Sequence, residues 1–156
     1  MDLNRLIWTK NVKPLDAEPW AYRSIATIYP NLKIFALHWR NLEHKDETHV
    51  KELQEGDLMI LRQHGKVTHI VQMLNNQVYC DEQAGDEFNI YRLVQVVWMT
   101  DDWHNPPHTD EVFGCKIKFP PSGKAIKLEN LKAFKEHWSA KELTFQQHVQ
   151  NVLKNH

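Results

Sequence analysis

The amino-acid sequence predicts an α+β domain, in which a small, curled, mixed or antiparallel β-barrel of five to six strands carries covering helices at its start and end. Two observations carry this prediction. Residues 55–74 hold two apolar runs separated by a short polar break, which is the pattern of a β-hairpin. Residues 145–153 place apolar side chains on one stripe at helical spacing, which is typical of a helix that packs on a sheet.

The hairpin is the centre of the predicted sheet. Its two arms, residues 58–61 and 67–74, are apolar at nearly every position rather than at alternate ones. This composition predicts strands that are covered on both faces. Gly65 lies in the polar break, where it supplies the backbone freedom that a tight connection needs.

Three elements are predicted before the hairpin. Residues 6–9 form a short first strand, and a helix follows that Asp16 caps and Pro30 ends. Residues 33–39 alternate in the manner of a second strand, and a charged segment then leads into a short helix capped at Thr48.

Two strands are predicted after the hairpin. Residues 88–99 form a long strand whose apolar phase shifts near Arg92, which suggests a bulge there. Residues 112–119 alternate most regularly, with Phe113, Ile117 and Phe119 on the inward face. An irregular loop, residues 100–110, separates the two strands.

Two helices complete the predicted order. Residues 128–138 are helical in outline, and a stronger helix begins at Ala140. Ser139 and Glu142 have the spacing of a capping box for this second helix.

Length and composition indicate one domain that spans residues 1–156. The chain is 42% hydrophobic and contains 5 Gly and 7 Pro, so it can bury a sizeable core and shows no disordered bias. It has no apolar run of membrane-spanning length and no secretory pattern, so we expect a cytoplasmic protein without a membrane partner. Cys80 and Cys115 have no metal-site spacing and are expected to be reduced and half-buried.

The charge balance limits how this chain can bind nucleic acid. Its 19 Lys and Arg residues face 20 Asp and Glu residues, giving a net charge of -1. Proteins that hold duplex DNA mainly through its phosphates have a basic excess, because their affinity comes from phosphate neutralisation. A nucleic-acid partner would therefore need a local basic patch and a shaped pocket.

Catalytic and metal-binding motifs are not found in the sequence. It contains no nucleophile elbow, phosphate-binding loop, dinucleotide fingerprint or zinc-protease motif. The irregular loop contains side chains with metal-ligand chemistry: Asp101, Asp102, His104, His108 and Asp110. Two prolines between the histidines prevent them from sharing a helix face, so we expect no metal, no cofactor and no catalytic residue.

Three segments resemble the EVE and YTH branch of the PUA-like superfamily. Residues 51–61 and 67–74 are similar to consecutive barrel strands of that family, and residues 124–134 to its closing strand and helix. The segments match in order and spacing, and the resemblance covers roughly residues 6–135.

The resemblance implies a PUA-like reader of modified bases in nucleic acid. In such a reader the base is flipped out of its stack into an aromatic cage, where stacking contributes about 1 to 3 kcal/mol per base. DNA is favoured over RNA as the partner. The chain would then be the specificity domain of a modification-dependent restriction or defence system, acting with a partner nuclease or motor domain.

The resemblance also implies where the base would bind. Trp39 corresponds to the first cage wall and Trp103 to the second, with Trp98 as the competing candidate. Four residues are expected to contact the base edge: Thr9, Lys10, Asn11 and, more weakly, Asn41. A basic rim for the nucleic-acid backbone would consist of Lys13, Arg23, Arg40, Arg62 and Lys66.

Two alternative functions remain open at this stage. The ASCH branch of the same superfamily suggests a small hydrolase acting on a modified nucleoside, with Lys10, Thr9 and Glu55 as its reactive set. The other alternative is a protein-interaction domain whose tryptophans only build the core.

Overall fold

The computed structural model describes residues 1–14, 18–24, 29–40, 47–81 and 90–156, and it confirms the α+β class. The seven strands of the described residues are β1 (Leu6–Asn11), β2 (Ile34–Trp39), β3 (Leu58–Gln63), β4 (Lys66–Met73), β5 (Tyr79–Cys80), β6 (Ile90–Met99) and β7 (Ile126–Lys127). The four described α-helices are α1 (Glu47–Lys51), α2 (Thr109–Phe113), α3 (Lys132–Trp138) and α4 (Phe145–Leu153). Short 3₁₀ helices occupy Pro30–Leu32 and Leu128–Asn130.

The strands form one mixed sheet in the order β2-β6-β4-β3-β1-β7, with β5 also paired to β6. The pairing of β1 with β3 is parallel, and the other described pairings are antiparallel. In the described part of the chain β2 and β7 are the two ends of this path, so the sheet is open and the predicted barrel is not closed. β7 is two residues long and pairs with β1, whereas closure would require paired strands on both of its sides.

The predicted hairpin is confirmed, and its strands are covered on both faces. His64 and Gly65 form a two-residue turn at φ 52° and φ 71°, the left-handed conformation that matches the twist of the flanking strands. Met59 and Leu61 lie in one core cluster, together with Trp8 and Trp39. Leu58 and Ile60 point to a second cluster that the helices α2 and α4 complete.

The helix predicted from Asp16 is wrong where the structure describes it. Residues 18–24 consist of turns and bends, and Tyr22 has φ 57°, which an α-helix does not accommodate. The main-chain groups of Ala21 bond to the side chain of Gln63 instead of to helical neighbours. The other predicted residues, 15–17 and 25–28, lie outside the described residues.

The strand predicted at residues 112–119 is also wrong. His108 caps α2 by accepting a hydrogen bond from the main-chain N–H of Asp110, and Gly114 ends the helix at φ 73°. Residues 115–119 then run without a paired strand. The rings of Phe113 and Phe119 are nevertheless in contact, with centroids 5.2 Å apart. The alternating apolar pattern therefore reflects the burial of these side chains and not the pairing of a β-strand.

The bulge predicted near Arg92 lies elsewhere. Arg92 pairs regularly with Leu37, whereas the β4–β6 ladder shifts between Ile70 and Val71, which leaves Val97 without a partner. Phe88, the predicted start of this strand, lies outside the described residues.

The last helix begins later than predicted. The capping box is formed by Thr144 and Gln147, whose side chains each accept from the other's main-chain N–H. Ser139 cannot cap this helix because it ends α3, where its hydroxyl donates to the carbonyl of Glu136. The apolar stripe of α4 is confirmed: Phe145, Val149 and Leu153 are buried in the second core cluster.

Two smaller predictions concern solvent exposure. Both cysteines are free; Cys115 is half-buried as predicted, whereas Cys80 is exposed. Among the helices of the described residues, none has the length and apolar content needed to cross a bilayer.

Candidate ligand-binding site

A cavity of about 670 Å³ opens where the ends of β1 and β2 meet the segment 119–124. This volume lies within the range of small-molecule sites. The cavity is lined by Lys10, Asn11, Val12, Lys13, Tyr22, His38, Trp39, Arg40, Arg62, Phe119, Pro120, Pro121, Ser122, Gly123 and Lys124.

The lining is cationic. Five of the described lining residues are Lys or Arg, a sixth is His38, and none carries a carboxylate. Asp81 does not line the cavity, although its charge tends to raise the pKa of His38. Burial is the larger effect on His38 and lowers its pKa below the ordinary histidine value. The cavity therefore concentrates positive charge on a protein whose net charge is only -1.

Lys10 is the most strongly perturbed of these cations. Its side chain is 3% exposed, because β1 directs it onto the same face as Trp8 and Trp39. The ammonium Nζ donates to the carbonyl of Gly123 at 2.6 Å and lies 5.1 Å from the Trp39 ring centroid. Burial, with a further contribution from the charge of Arg62, lowers the pKa of Lys10 to about 7.

Arg62 is held by a hydroxyl and an aromatic ring. Its Nε donates to Thr9 Oγ1 at 2.8 Å, and Thr9 in turn donates to the carbonyl of Ile60 at 3.0 Å. The guanidinium carbon lies 3.7 Å from the Phe119 ring centroid. The terminal Nη2 is buried and has no hydrogen-bond partner among the described residues. Burial lowers the pKa of the guanidinium to about 10.

Three aromatic rings complete the lining. Trp39 is 1% exposed, and its buried indole Nε1 has no hydrogen-bond partner in the part of the chain that the structure describes. Tyr22 accepts a hydrogen bond from the main-chain N–H of His38, which ties the turn at residues 18–24 to β2. Burial raises the pKa of Tyr22 to about 12, so its hydroxyl stays protonated. Phe119 is the third ring, beneath Arg62.

The cavity brings together about half of the residues predicted for the site. Six of the twelve predicted residues line it: Lys10, Asn11, Lys13, Trp39, Arg40 and Arg62. Thr9 is fully buried behind Arg62 and orients that side chain. Asn41 lies outside the described residues.

The remaining predicted residues lie elsewhere. Trp98 pairs with Ile70 and packs against the second core cluster, on the opposite face of the sheet from Trp39. Lys66 donates to Asn105 at 3.1 Å. Trp103 and Arg23 belong to a separate patch, described next.

Trp103 forms an aromatic patch with residues that do not line the cavity. Its ring centroid lies 6.1 Å from that of Trp20 and 5.6 Å from that of His69, and the guanidinium of Arg23 lies 5.9 Å from it. Arg23 directly follows Tyr22, which does line the cavity. The patch and the cavity are thus joined through the turn at residues 18–24.

Three parts of the lining were not predicted as site residues. Tyr22 falls in the predicted first helix and His38 in the predicted second strand, and residues 120–123 belong to no predicted element. A usable signal was the position of Lys118 and Lys124 on either side of this Pro-Pro-Ser-Gly segment, since loops carrying charge often form binding sites.

The set expected for a hydrolase is not assembled. In the parallel β1–β3 ladder Lys10 lies opposite Leu61, six residues along from Glu55. Glu55 lies in a turn before β3 and does not line the cavity that contains Lys10. Glu55 is exposed and its main-chain N–H donates to Asn76. For metals, the described residues contain no group of three or more His, Cys, Asp or Glu side chains that could hold an ion.

Comparison of the chain with protein-family models, with curated proteins and with solved structures finds no match. The cationic, aromatic-lined cavity is therefore the feature of this chain from which a function can be inferred.

Proposed function

We propose that the protein is a nucleic-acid-binding module that takes one flipped-out, modified base into the cavity. One observation carries this proposal: the described lining combines aromatic rings with five Lys or Arg residues and no carboxylate, in a volume of about 670 Å³. Space of that size accommodates a nucleoside. As part of the same proposal, the fold is an open relative of the PUA-like domains, in the EVE and YTH branch.

The cations fall into two groups with different roles. Lys13, Arg40 and Lys124, which we call the outer cations, are exposed and line the cavity. We assign them to the phosphates that flank the flipped base. A local group of this kind accounts for phosphate binding by a chain without an overall basic excess.

The aromatic side chains supply the second part of the affinity. A base that leaves its stack loses stacking energy, and an aromatic or cationic plane restores it. Trp39, Tyr22 and Phe119 are the rings that line the cavity. The patch of Trp103, Trp20 and Arg23 is suited to stack a neighbouring unpaired nucleotide. We retain DNA as the favoured partner and a separate nuclease or motor as the effector.

The proposal is tested by fluorescence anisotropy with labelled single strands and duplexes. The panel contains unmodified oligonucleotides and versions with N6-methyladenine, 5-methylcytosine or 5-hydroxymethylcytosine, at about 50 and about 200 mM salt. We expect tighter binding of one modified strand, which persists at the higher salt. Absence of binding to every strand would refute the proposal.

Trp39 must be tested by a conservative change. Because it is 1% exposed, Trp39→Ala is expected to cost about 3 to 5 kcal/mol of stability, and lost binding would then be uninformative. We predict that Trp39→Phe weakens binding of the preferred strand about fivefold, or about 1 kcal/mol, since a smaller ring provides less stacking surface. Trp98→Phe, on the opposite face, is the matched control and should bind as wild type in the same anisotropy assay. Equal affinities of all three proteins would exclude Trp39 from the site.

An enzyme acting on a modified nucleoside is the second candidate. It is favoured by Lys10, whose pKa of about 7 leaves much of the amine deprotonated at neutral pH, as a general base or nucleophile requires. Incubation with modified nucleosides and chromatography of the products tests this activity. Turnover by wild type that is lost in Lys10→Arg would favour the enzyme over the reader.

A further inference from the structure

Lys10 and Arg62, which we call the inner pair, are two buried cations that line one cavity. Their exposed fractions are 3% and 5%, and the charge of Arg62 lowers the pKa of Lys10. Removing a charged group from water is unfavourable unless an opposite charge or a full set of hydrogen bonds replaces the solvent. When Lys10 is protonated, two neighbouring buried charges of the same sign carry this penalty and also repel each other, which favours the neutral amine.

The protein itself compensates the inner pair incompletely. Lys10 Nζ has one close acceptor, the Gly123 carbonyl at 2.6 Å, and a second carbonyl at 3.4 Å, that of Asn11. The Nε of Arg62 donates to Thr9, while its Nη2 has no hydrogen-bond partner within the described ranges. No carboxylate lies among the described residues of the lining.

Arg92 shows how the same fold compensates a structural guanidinium. It is fully buried, and its two terminal nitrogens donate to the carbonyls of Val50, Leu53 and Asn75. Its Nε has no hydrogen-bond partner among the described residues, so the contrast with Arg62 lies in the carbonyls around the terminal nitrogens. The charge of Asp57 also favours its protonated form. Among the described residues, Arg62 has neither an ion-pair partner nor carbonyl acceptors of this kind, and its Nη2 is left without a hydrogen bond.

We propose that the inner pair is an oxyanion site, so that the ligand places an acidic group in the buried part of the cavity. This inference rests on the proposed function and specifies its ligand: a nucleotide with a carboxylate on the base, or a terminal phosphate. An oxyanion would supply further acceptors and the negative charge that the described lining does not provide. Backbone phosphates of an unmodified strand are assigned to the outer cations and do not need to enter the cavity.

Occupation of this site should be coupled to uptake of a proton by Lys10. The groups that line the cavity with Lys10 are Arg62, His38, Lys13, Arg40, Lys124 and Tyr22. Tyr22 stays neutral, whereas the others are cations or can become one. Of these, the charge of Arg62 disfavours the protonated amine of Lys10, in addition to burial. An oxyanion reverses this balance and raises the pKa of Lys10. Affinity should therefore be highest at about pH 6, where the amine is already protonated, and fall as the pH rises above about 7.

The experiment measures the Lys10 titration directly in the wild-type protein. Lysine labelled with carbon-13 is followed by NMR from about pH 5 to about pH 10, without anion and with inorganic phosphate or acetate at constant ionic strength. The Lys10 signal is identified by its absence in Lys10→Arg. We expect a midpoint near 7 without the anion and an increase of about one pH unit or more with it. An unchanged midpoint in both anions would overturn the oxyanion site.

Oligonucleotides then distinguish the two sources of the acidic group. Strands with cytosine, 5-methylcytosine or 5-carboxylcytosine are compared, each with a 5′-phosphate or a 5′-hydroxyl. We expect one acidic group to increase affinity about tenfold at about pH 6, and the advantage to shrink by about pH 9. His38→Gln removes the other titrating group of the lining. A pH dependence that persists in this variant belongs to Lys10, and one that disappears would assign it to His38 and overturn the inference.

The two proposals fail in different ways. If methylated and carboxylated strands bind equally with either 5′ end, and Lys13→Ala weakens both, the oxyanion inference is wrong and the reader function stands. If no strand binds but phosphate raises the Lys10 midpoint, the oxyanion site stands and the reader function is wrong.

Discussion

The folded structure disfavours the protonated form of the Lys10 amine. It lies beside Trp39, and it is close enough to Arg62 for repulsion. The folded protein therefore binds a proton at Lys10 less tightly than the unfolded chain does, whose lysines have the ordinary pKa of about 10.5. This difference makes the stability of the fold depend on pH.

We predict that wild type gains stability relative to Lys10→Met as the pH rises from about 7 to about 10. In this range the unfolded chain holds a proton on Lys10 that the folded protein has released, so the free energy of unfolding increases with pH. The slope should approach about 1.4 kcal/mol per pH unit. Urea denaturation of both proteins at several pH values measures it. Parallel curves would mean that Lys10 titrates normally.

Arg62 and Thr9 illustrate a different point at the scale of residues. Thr9 was predicted to contact a base edge, but its hydroxyl lies between the carbonyl of Ile60 and the guanidinium of Arg62. The threonine thus positions a cation that lines the cavity. Whether Thr9 can contact a ligand depends on which face of β1 its side chain occupies. The sequence of a short strand with few apolar residues does not determine that face.

The turn at residues 18–24 is anchored to the sheet by a chain of side-chain hydrogen bonds. Gln63 accepts from the N–H of Ala21, donates to its carbonyl, and also donates to Thr68. Thr68 contacts His69 Nδ1 at 2.8 Å, and His69 Nε2 contacts the Tyr22 carbonyl at 3.1 Å. Burial lowers the pKa of His69 to about 4, so the ring is neutral at physiological pH, accepting at Nδ1 and donating at Nε2.

We predict that Gln63→Leu loosens this turn and lowers stability by about 2 to 3 kcal/mol. The change leaves the main-chain groups of Ala21 without partners and removes one partner of Thr68. Hydrogen exchange should show faster exchange of the Ala21 amide, with core amides of β3 and β4 still protected. Gln72→Leu on β4, whose side chain is half-buried, serves as the control and should leave the Ala21 amide protected. Protection of Ala21 in Gln63→Leu would show that the turn is held by other contacts.

The hairpin was predictable because its information is local. Two apolar runs specify β3 and β4, and His64 and Gly65 specify the turn between them. All of this lies within 16 residues, Leu58–Gln63 through Lys66–Met73. The parallel pairing of β1 with β3 was not predictable, because residues about 50 positions apart select each other through tertiary packing. The strand predicted at residues 112–119 is wrong for a related reason. Alternating apolar residues indicate which side chains are buried, but they do not show whether a partner strand is present.

The candidate site was predictable to a similar extent. Lys10, Asn11, Trp39 and Arg40 follow or end apolar strands, and polar residues at such positions are natural candidates for a site. Tyr22 and residues 119–124 reach the cavity through the fold of the whole chain. Trp103 looked equivalent to Trp39 in the sequence, but its loop carries it to the patch with Trp20 and His69.

At the scale of the whole molecule, charge distribution matters more than total charge. The outer cations are the exposed Lys and Arg residues that line the cavity, while the net charge of the protein is -1. Non-specific attraction to nucleic acid should therefore be weak, and binding should depend on a small number of phosphate contacts.

We predict that Lys13→Ala removes about one phosphate contact and thereby reduces the salt dependence of oligonucleotide binding. The slope of log affinity against log salt should change by about 0.7 for a single strand. Anisotropy titrations between about 50 and about 200 mM salt measure this slope. Lys132→Ala on α3 removes an exposed lysine that does not line the cavity, and its slope should equal that of wild type. Equal slopes in all three proteins would remove Lys13 from the phosphate contacts.

The position of β1 between β3 and β7 also bears on how the protein folds. Thr9 lies opposite Ile60 in one ladder and Ile126 in the other, so the centre of the first strand is paired with residues far along the chain. Contacts of such long range require large loops to close first, and proteins rich in them fold slowly.

The cavity also depends on contacts between residues far apart in the chain, because its lining comes from residues 10–13, 22, 38–40, 62 and 119–124. A ligand finds no complete site until these segments have met, which places its contribution after the main folding barrier. Such a ligand slows unfolding and leaves the folding rate unchanged. Occupancy of the cavity would therefore lengthen the lifetime of the folded state and would not change the rate at which the protein folds.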